Sequence, residues 1–519
     1  MLVAAGAALA LSMTGCGSQL SDDRLEASNN AFKQVVGTRS LDGASSGTGA
    51  EAAGPAVAGE IPAALGGGAA GVALGAGAGA AGASGGASGG GPNASGSSGG
   101  GRGVGGAGAT AGGSTAPGGS AGSSGAAAGK PGAATPGTPG PSTPLPGAGG
   151  KKSEILFGSF GAESGVLGAV SGPAPPAIRA WAAYINAKGG INGHPVRVIL
   201  GDDNADPSRT LALVRQMVER DKVIAFFNDY SFTLSAATKY LEEKRIPVVG
   251  TIGGDVVGDH SPMVFHPLVG PDKGQAWGFL LTIATQTDKK KLALIYCREA
   301  NTCAVQMQSF KKLLPWNGLT SVYEAQVSLA QPDYTAEMLQ AQRAGAEVIV
   351  SLVDSASVAR LAQSAHRQGY NPIFSGTYNL NQDLIYAGGK DVEGLLLTSR
   401  TPPWDSSPRL QFYRDAMDRY QPKAYRGDLG GGVFVVGKLI EEKIGPFISE
   451  PPTTAQILEG LFALSNEKLG GLLPGVGFVD GEHFGTNQCV VPVKLTGGKF
   501  VAHDAAESFV CAPGWRPAK

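Results

Sequence analysis

The sequence predicts an α/β protein of two doubly wound, Rossmann-like lobes, preceded by a disordered linker. Three observations lead there. From about residue 153 onward, short apolar runs alternate with segments of helical spacing, and one such series is followed by a second. Strands separated by helices of this length form parallel sheets covered on both faces, and each series makes one lobe. Glycine occurs 82 times in 519 residues, and most of the excess lies before Gly150, far above the usual ~7%. The roughly 365 residues that follow have ordinary composition and suffice for two lobes of ~100–200 residues each.

In chain order, residues 2–13 form a small, apolar run, too short to span a bilayer. It ends in Met13-Thr14-Gly15-Cys16, which resembles the lipobox of bacterial lipoproteins. Residues 1–16 therefore read as a signal peptide, with Cys16 lipidated as the first mature residue and facing outside the cytoplasm. An ordinary signal peptide with a chance cysteine is the alternative. Residues 17–150 read as a linker. Between 61 and 150 the only charges are Arg102 and Lys130, and aromatic residues are absent. Such a chain cannot bury enough surface to offset its entropy, and as a flexible coil it reaches roughly 60–70 Å. Gly43-Ala44-Ser45-Ser46-Gly47 matches a nucleophile-elbow pattern. It lacks the strand-turn-helix context that exposes such a serine.

The first series reads as strands over 155–160, 196–200, 223–227 and 246–249, with helices over 177–187, 210–220 and 234–243. Ile178, Trp181, Ala182 and Ile185 share one helix face, as do Leu211, Val214, Met217 and Val218. The second series has helices over 273–285, 304–314, 335–344 and 358–368, and strands over 292–296, 322–327, 348–352, 372–375 and 395–399. Helices over 409–420, 432–443 and 454–464 then precede a β-rich stretch over 478–501.

Apart from Cys16, four cysteines remain: Cys297, Cys303, Cys489 and Cys511. Four cysteines allow three pairings, and export makes disulfides the default. Pairing of sequence neighbours, Cys297–Cys303 and Cys489–Cys511, is the simplest. Zinc is the alternative, but the spacings are not C-x-x-C and no histidine pair accompanies them. The net charge of −1 supplies no basic field for a nucleic acid.

The stretch Ile185-Asn186-Ala187-Lys188-Gly189-Gly190-Ile191-Asn192-Gly193, followed by Gly201-Asp202-Asp203-Asn204-Ala205-Asp206-Pro207, resembles the Leu/Ile/Val-binding protein family of type I periplasmic binding proteins. Its physics stands beside the resemblance. Gly189 and Gly190 end a helix, Gly193 turns the chain into a strand, and Asp206 caps a helix with Pro207 at its first position. The similarity in element order runs from about 153 to about 504. It implies a domain over 151–519 whose chain crosses between lobes three times. Lobe one would take about 153–268 and 402–479, and lobe two about 269–401 and 480–519. The ligand would lie between them at the carboxyl ends of the strands, where general α/β physics also places it.

The family holds a ligand carboxylate with hydroxyls and backbone N–H groups after its third and fourth strands. The matching loops here offer Tyr230 or Ser231, then Thr251, and the backbone of Gly253 and Gly254. Gly254 stands where the family threonine is expected. The bland alternative is that these are only turn residues. The family's lobe two supplies an acid for the ligand ammonium, and Tyr378 stands at that place. A phenol does not offset a buried ammonium as a carboxylate does. Asp354, after the strand over 348–352, is the substitute, although Asp before a helix is more often an N-cap. Asn301 is a candidate for the rim.

These readings converge on an extracytoplasmic binding lipoprotein that takes a small polar ligand, amino-acid-like or amide-like, and delivers it to ABC permease subunits. A receptor of the same fold that senses without transport is the alternative, and an enzyme the remote one. No cofactor or metal is implied. His194, His260, His266, His366, His483 and His503 form no metal-binding pair, and adjacent Asp202 and Asp203 belong to a turn.

Overall fold

The computed structural model describes residues 152–252, 254–256, 260–271, 273–377, 380–481 and 487–517. The signal peptide, Cys16 and the linker lie outside the described residues, as do Gly253 and Tyr378.

The first sheet holds β1 (Ile155–Gly161), β2 (Val196–Asp202), β3 (Ala225–Asp229), β4 (Val248–Thr251) and β5 (Val264–Phe265) in the order β2-β1-β3-β4-β5. All its pairings are parallel. Helices α1 (Gly165–Ser171), α2 (Ala174–Ala187), α3 (Pro207–Glu219) and α4 (Ser235–Lys244) connect them. Helix α3 starts where sequence chemistry requires it. The Asp206 carboxylate accepts from the N–H of Ser208 and Arg209 at 2.9 Å each, and Pro207 supplies the first turn's fixed φ. Helix α2 ends at a turn only glycine permits. Gly190 has φ 80°, and a Cβ there would stand 2.0 Å from the His194 carbonyl oxygen. The Asn186 side chain then ties this turn to β2 through both backbone groups of Val196, at 2.7 and 2.8 Å.

The second sheet begins after α5 (Lys273–Gln286). It contains β6 (Lys291–Cys297), β7 (Thr320–Val327), β8 (Val348–Leu352), β9 (Ile373–Thr377) and β10 (Leu396–Ser399), linked by α6 (Asn301–Leu313), α7 (Thr335–Arg343), α8 (Ser355–His366) and α9 (Gln382–Gly388). These five strands are parallel. The chain then leaves this sheet. Helices α10 (Gln411–Tyr420), α11 (Asp428–Leu439) and α12 (Thr454–Ala463) pack on the first lobe. Phe434 of α11 lies 6.0 Å from Tyr184 of α2, and the Asn228 amide donates to the Val433 carbonyl at 3.3 Å. The chain finally returns to the second sheet as β11 (Cys489–Thr496), β12 (Lys499–Ala502) and β13 (Val510–Cys511). β11 runs antiparallel to β10, and both β12 and β13 run antiparallel to β11.

Three crossings therefore join two doubly wound lobes, which is the type I periplasmic binding protein architecture. The first and third lie side by side. Gly270 N–H donates to the Asn487 carbonyl at 3.3 Å, and the Asn487 amide donates to the Pro267 carbonyl at 3.0 Å. The second crossing, at Ser399-Arg400-Thr401, is held by Asp428. Its Oδ1 accepts from Ser399 Oγ at 2.8 Å and from Arg400 N at 3.3 Å. Burial pushes the Asp428 carboxyl up, and the Arg400 charge opposes that shift.

The β-rich tail begins later than its composition indicates, at Cys489 rather than 478. Phe478 belongs to the first lobe's core, edge-on to Phe265 at 5.2 Å. Both disulfides form between sequence neighbours, Cys297–Cys303 and Cys489–Cys511.

Candidate functional site

In each lobe, parallel strands deliver their connecting loops to one edge of the sheet, and these edges face each other. A gap between them has a cavity volume of about 30 Å³, room for one or two water-sized groups. The first lobe lines it with Leu167 and Val170 of α1, Phe232 after β3 and Gly254 after β4. The second lobe adds the Cys297–Cys303 disulfide, Thr302, Gln306, Leu329, Leu352, Val353 and Asp354. The wall is therefore mostly apolar, with a few polar groups converging from α6 and the start of α8. That is the usual composition of a small-molecule site.

The two lobes touch at Gly254, whose carbonyl accepts from Thr302 Oγ1. A Cβ at Gly254 would stand 2.9 Å from the Phe232 ring and 3.3 Å from the Thr302 methyl. The bare backbone is thus needed first by the Phe232 ring of the same lobe, with the Thr302 methyl of α6 tight beside it. The N–H of Gly254 faces its own lobe and donates to the Ser231 carbonyl at 3.3 Å.

The other first-lobe candidates are engaged in lobe one. Ser231 is fully buried, and its hydroxyl donates to the Asp203 carboxylate. Thr210 Oγ1 donates to the same carboxylate at 3.1 Å and pairs with Thr233 Oγ1 at 2.7 Å. Burial raises the Asp203 carboxyl above the usual range, and the Ser231 hydrogen bond opposes that rise. Tyr230 is equally buried, and its phenol donates to Glu163 at 2.7 Å. Burial and then the Glu163 charge push that phenol well above its ordinary value. Thr251 Oγ1 sits 3.1 Å from His266 Nδ1. Tyr230, Ser231 and Thr251 thus lie behind the loops that line the gap and fix the loops' shape. Asp202 does the same for the β1–α1 loop. Its Oδ1 accepts from Glu163 N at 3.0 Å and Asn204 N at 3.0 Å, and its Oδ2 from Ser164 Oγ at 2.6 Å.

In the second lobe, Asp354 is the N-cap residue that the sequence offered as the alternative to a ligand role. It caps α8, accepting from Ser357 N at 2.7 Å, and it lines the gap. Asn301 is exposed at the first turn of α6. Thr302 and Gln306 were not legible as site residues. They are four apart on α6 and so share one face, but that spacing in sequence is equally that of a core-facing helix. The Gln306 amide donates to Thr302 Oγ1 at 3.3 Å. Among the described residues, no group of three or more metal-ligating side chains is found. No described helix is long and apolar enough to cross a membrane.

Residues 154–499 match the family model described as periplasmic binding protein. An amino acid binding protein of Pseudomonas aeruginosa is 24% identical over 224 residues, which cover 42% of this chain and 60% of that protein. A Leu/Ile/Val-binding protein homolog of Brucella abortus is 25% identical over 256 residues, covering 48% of this chain and 67% of its own length. The chain thus spans about three fifths to two thirds of these relatives. Among solved structures, a branched-chain amino acid ABC transporter protein from Thermus thermophilus with bound valine superposes with TM-score 0.58 and 19% identity, over 69% of this chain and 98% of that one. An extracellular ligand-binding receptor from Rhodopseudomonas palustris gives 0.55 and 18%, over 68% and 99%. At such identity these structures establish the fold.

Proposed function

The chain belongs to the periplasmic binding protein family, a family of binding proteins and not of enzymes, and on that premise we propose that it is an extracytoplasmic solute-binding lipoprotein that captures one small ligand between its lobes and delivers it to an ABC-type importer. The observation that carries this reading is a gap lined by strand-end loops of both lobes. A ligand seated there touches both lobes at once, so binding and lobe closure are the same event. The importer half rests on the family and on the transporter relative from Thermus thermophilus. The anchor half rests on Cys16 and the Gly-rich stretch after it.

The ligand of this reading is amino-acid-like or amide-like. Asp354 is the carboxylate at the gap, and a ligand ammonium would have to pair with it. Removing one partner of a buried charge pair costs ~3–5 kcal/mol, more than a hundredfold in affinity. Calorimetric titration with amino acids, their amides and matching carboxylates tests this. Any ammonium-bearing ligand should lose that factor in Asp354→Ala, while an amide without an ammonium should not. Submicromolar leucine binding that survives Asp354→Ala would overturn the ligand reading. The anchor has its own test. Cell fractionation should place the protein with membranes and Cys16→Ala should release it; a wild-type protein found wholly soluble sinks the lipoprotein reading.

A further inference from the structure

Gln306 is 1% exposed, lines the interlobe gap, and has a carbonyl oxygen, Oε1, that no donor reaches among the described residues. Buried amide oxygens are ordinarily paired, because desolvation without a partner is costly. The orientation of this amide is fixed by its neighbours. Thr302 Oγ1 gives its only proton to the Gly254 carbonyl across the gap, so it has lone pairs alone to offer Gln306. Gln306 Nε2 must then face Thr302, as it does at 3.3 Å, leaving Oε1 as the free end. Around it the lining is apolar: Leu167, Val170, Phe232, Leu329, Leu352 and Val353.

We infer that Gln306 is the specificity-determining acceptor of this cleft, taking a hydrogen bond from an uncharged N–H or O–H of the ligand, and that the matching ligand class is a small carboxamide with an apolar body. This inference rests on the solute-binding reading and narrows it. A carbonyl acceptor needs a proton donor, which a carboxamide N–H supplies and a carboxylate does not. A ligand carboxylate in the same place has no proton to give at neutral pH, and its charge would face Asp354 across a poorly hydrated gap. As the lobes stand the gap holds only one or two water-sized groups, so they must part to admit the ligand's body, while Gln306 and Thr302 stay paired on one face of α6.

The test is a comparison of isovaleramide with isovalerate, titrated into the full chain and followed by calorimetry. The wild type should prefer the amide by about tenfold or more, the scale of one well-placed hydrogen bond in a dry site. Gln306→Met keeps the side-chain length and should abolish the preference by weakening the amide alone. Gln306→Ala is the second variant, in case methionine disturbs packing. Asp354→Asn separates the two polar groups, and the amide should retain its affinity there. A preference that persists in both Gln306 variants overturns the inference, as does one that vanishes in Asp354→Asn while surviving in Gln306→Met. Collapse of the folding transition in both Gln306 variants marks a structural residue and overturns it too. A wild type that binds neither probe also overturns it. That last outcome is distinguishable from failure of the solute-binding reading, which is judged by whether any small molecule remains bound through native purification.

Discussion

At the scale of single residues, much of the polar chemistry near the cleft is spent on shaping loops. Asp202 illustrates the device. Burial alone would raise its carboxyl, but hydrogen bonds from the Ser164 hydroxyl and from the Glu163, Asn204 and Ser164 amides hold it below its ordinary value of 3.8. A depressed carboxylate contributes stability that is present above that ordinary value and lost as pH falls through the lower, folded-state value. Asp202→Asn should therefore destabilise the domain at neutral pH, by about 1 kcal/mol after allowing for its partial exposure. The difference from wild type should shrink as pH drops below 3.8. Denaturant unfolding at several pH values measures it, and a difference independent of pH would contradict the assignment. Residue roles of this kind were only partly legible. The pattern around 201–207 gave the Asp206 cap, because cap and Pro are adjacent in sequence. It did not give the pairing of Ser231 with Asp203, which are 28 residues apart and meet only because β2 and β3 both flank β1. Asp354 was readable as either cap or ligand group; it forms the cap with Ser357 N, and its position also borders the gap.

At the scale of elements, the alternation of strand and helix was legible wherever burial is two-sided. Residues 348–352 read as a strand and are one, with every residue buried. What was missed is short or depends on the other lobe. Helix α1 has seven residues and contains Gly165 and Gly168, poor helix formers. Its Leu167 and Val170 bear on the gap rather than on a continuous core stripe. Strand β5 has two residues, and helix α9 begins at an Asn381 cap just after residues that carry no periodicity. The C-terminal strands are held by more than register. Cys489 and Cys511 face each other across the β11–β13 pair and are cross-linked. A bond closing a loop of this length, a sequence separation of 22, stabilises by about 3 kcal/mol in the chain-entropy account. The Cys297–Cys303 bond works differently. Its separation is only 6, and it joins the end of β6 to the first turn of α6, holding in place the helix that presents Thr302 and Gln306.

At the scale of the whole molecule, the two lobes are joined by three crossings and meet at the cleft. Of the residues that line the gap, the sequence supplied Gly254 and Asp354, while Asn301, expected at the rim, is exposed at the start of α6 and is not among them. The sequence could not supply the partner across from Gly254, since contacts between lobes leave no periodic trace. The account's central claim is that this interlobe gap holds the ligand, and Gly254 gives the most direct way to block it. Its φ is not in the left-handed region, so a larger residue fits the backbone, but its Cβ would press on Phe232 and on the Thr302 methyl of the other lobe. Gly254→Trp should therefore wedge the lobes apart while leaving each sheet intact. The deciding measurement is native mass spectrometry of the domain purified without denaturant, wild type beside Gly254→Trp, with circular dichroism to confirm equal folding. The account predicts one small-molecule adduct per wild-type chain, lost or strongly reduced in the variant. An adduct retained undiminished by a folded Gly254→Trp would place the ligand elsewhere and contradict it.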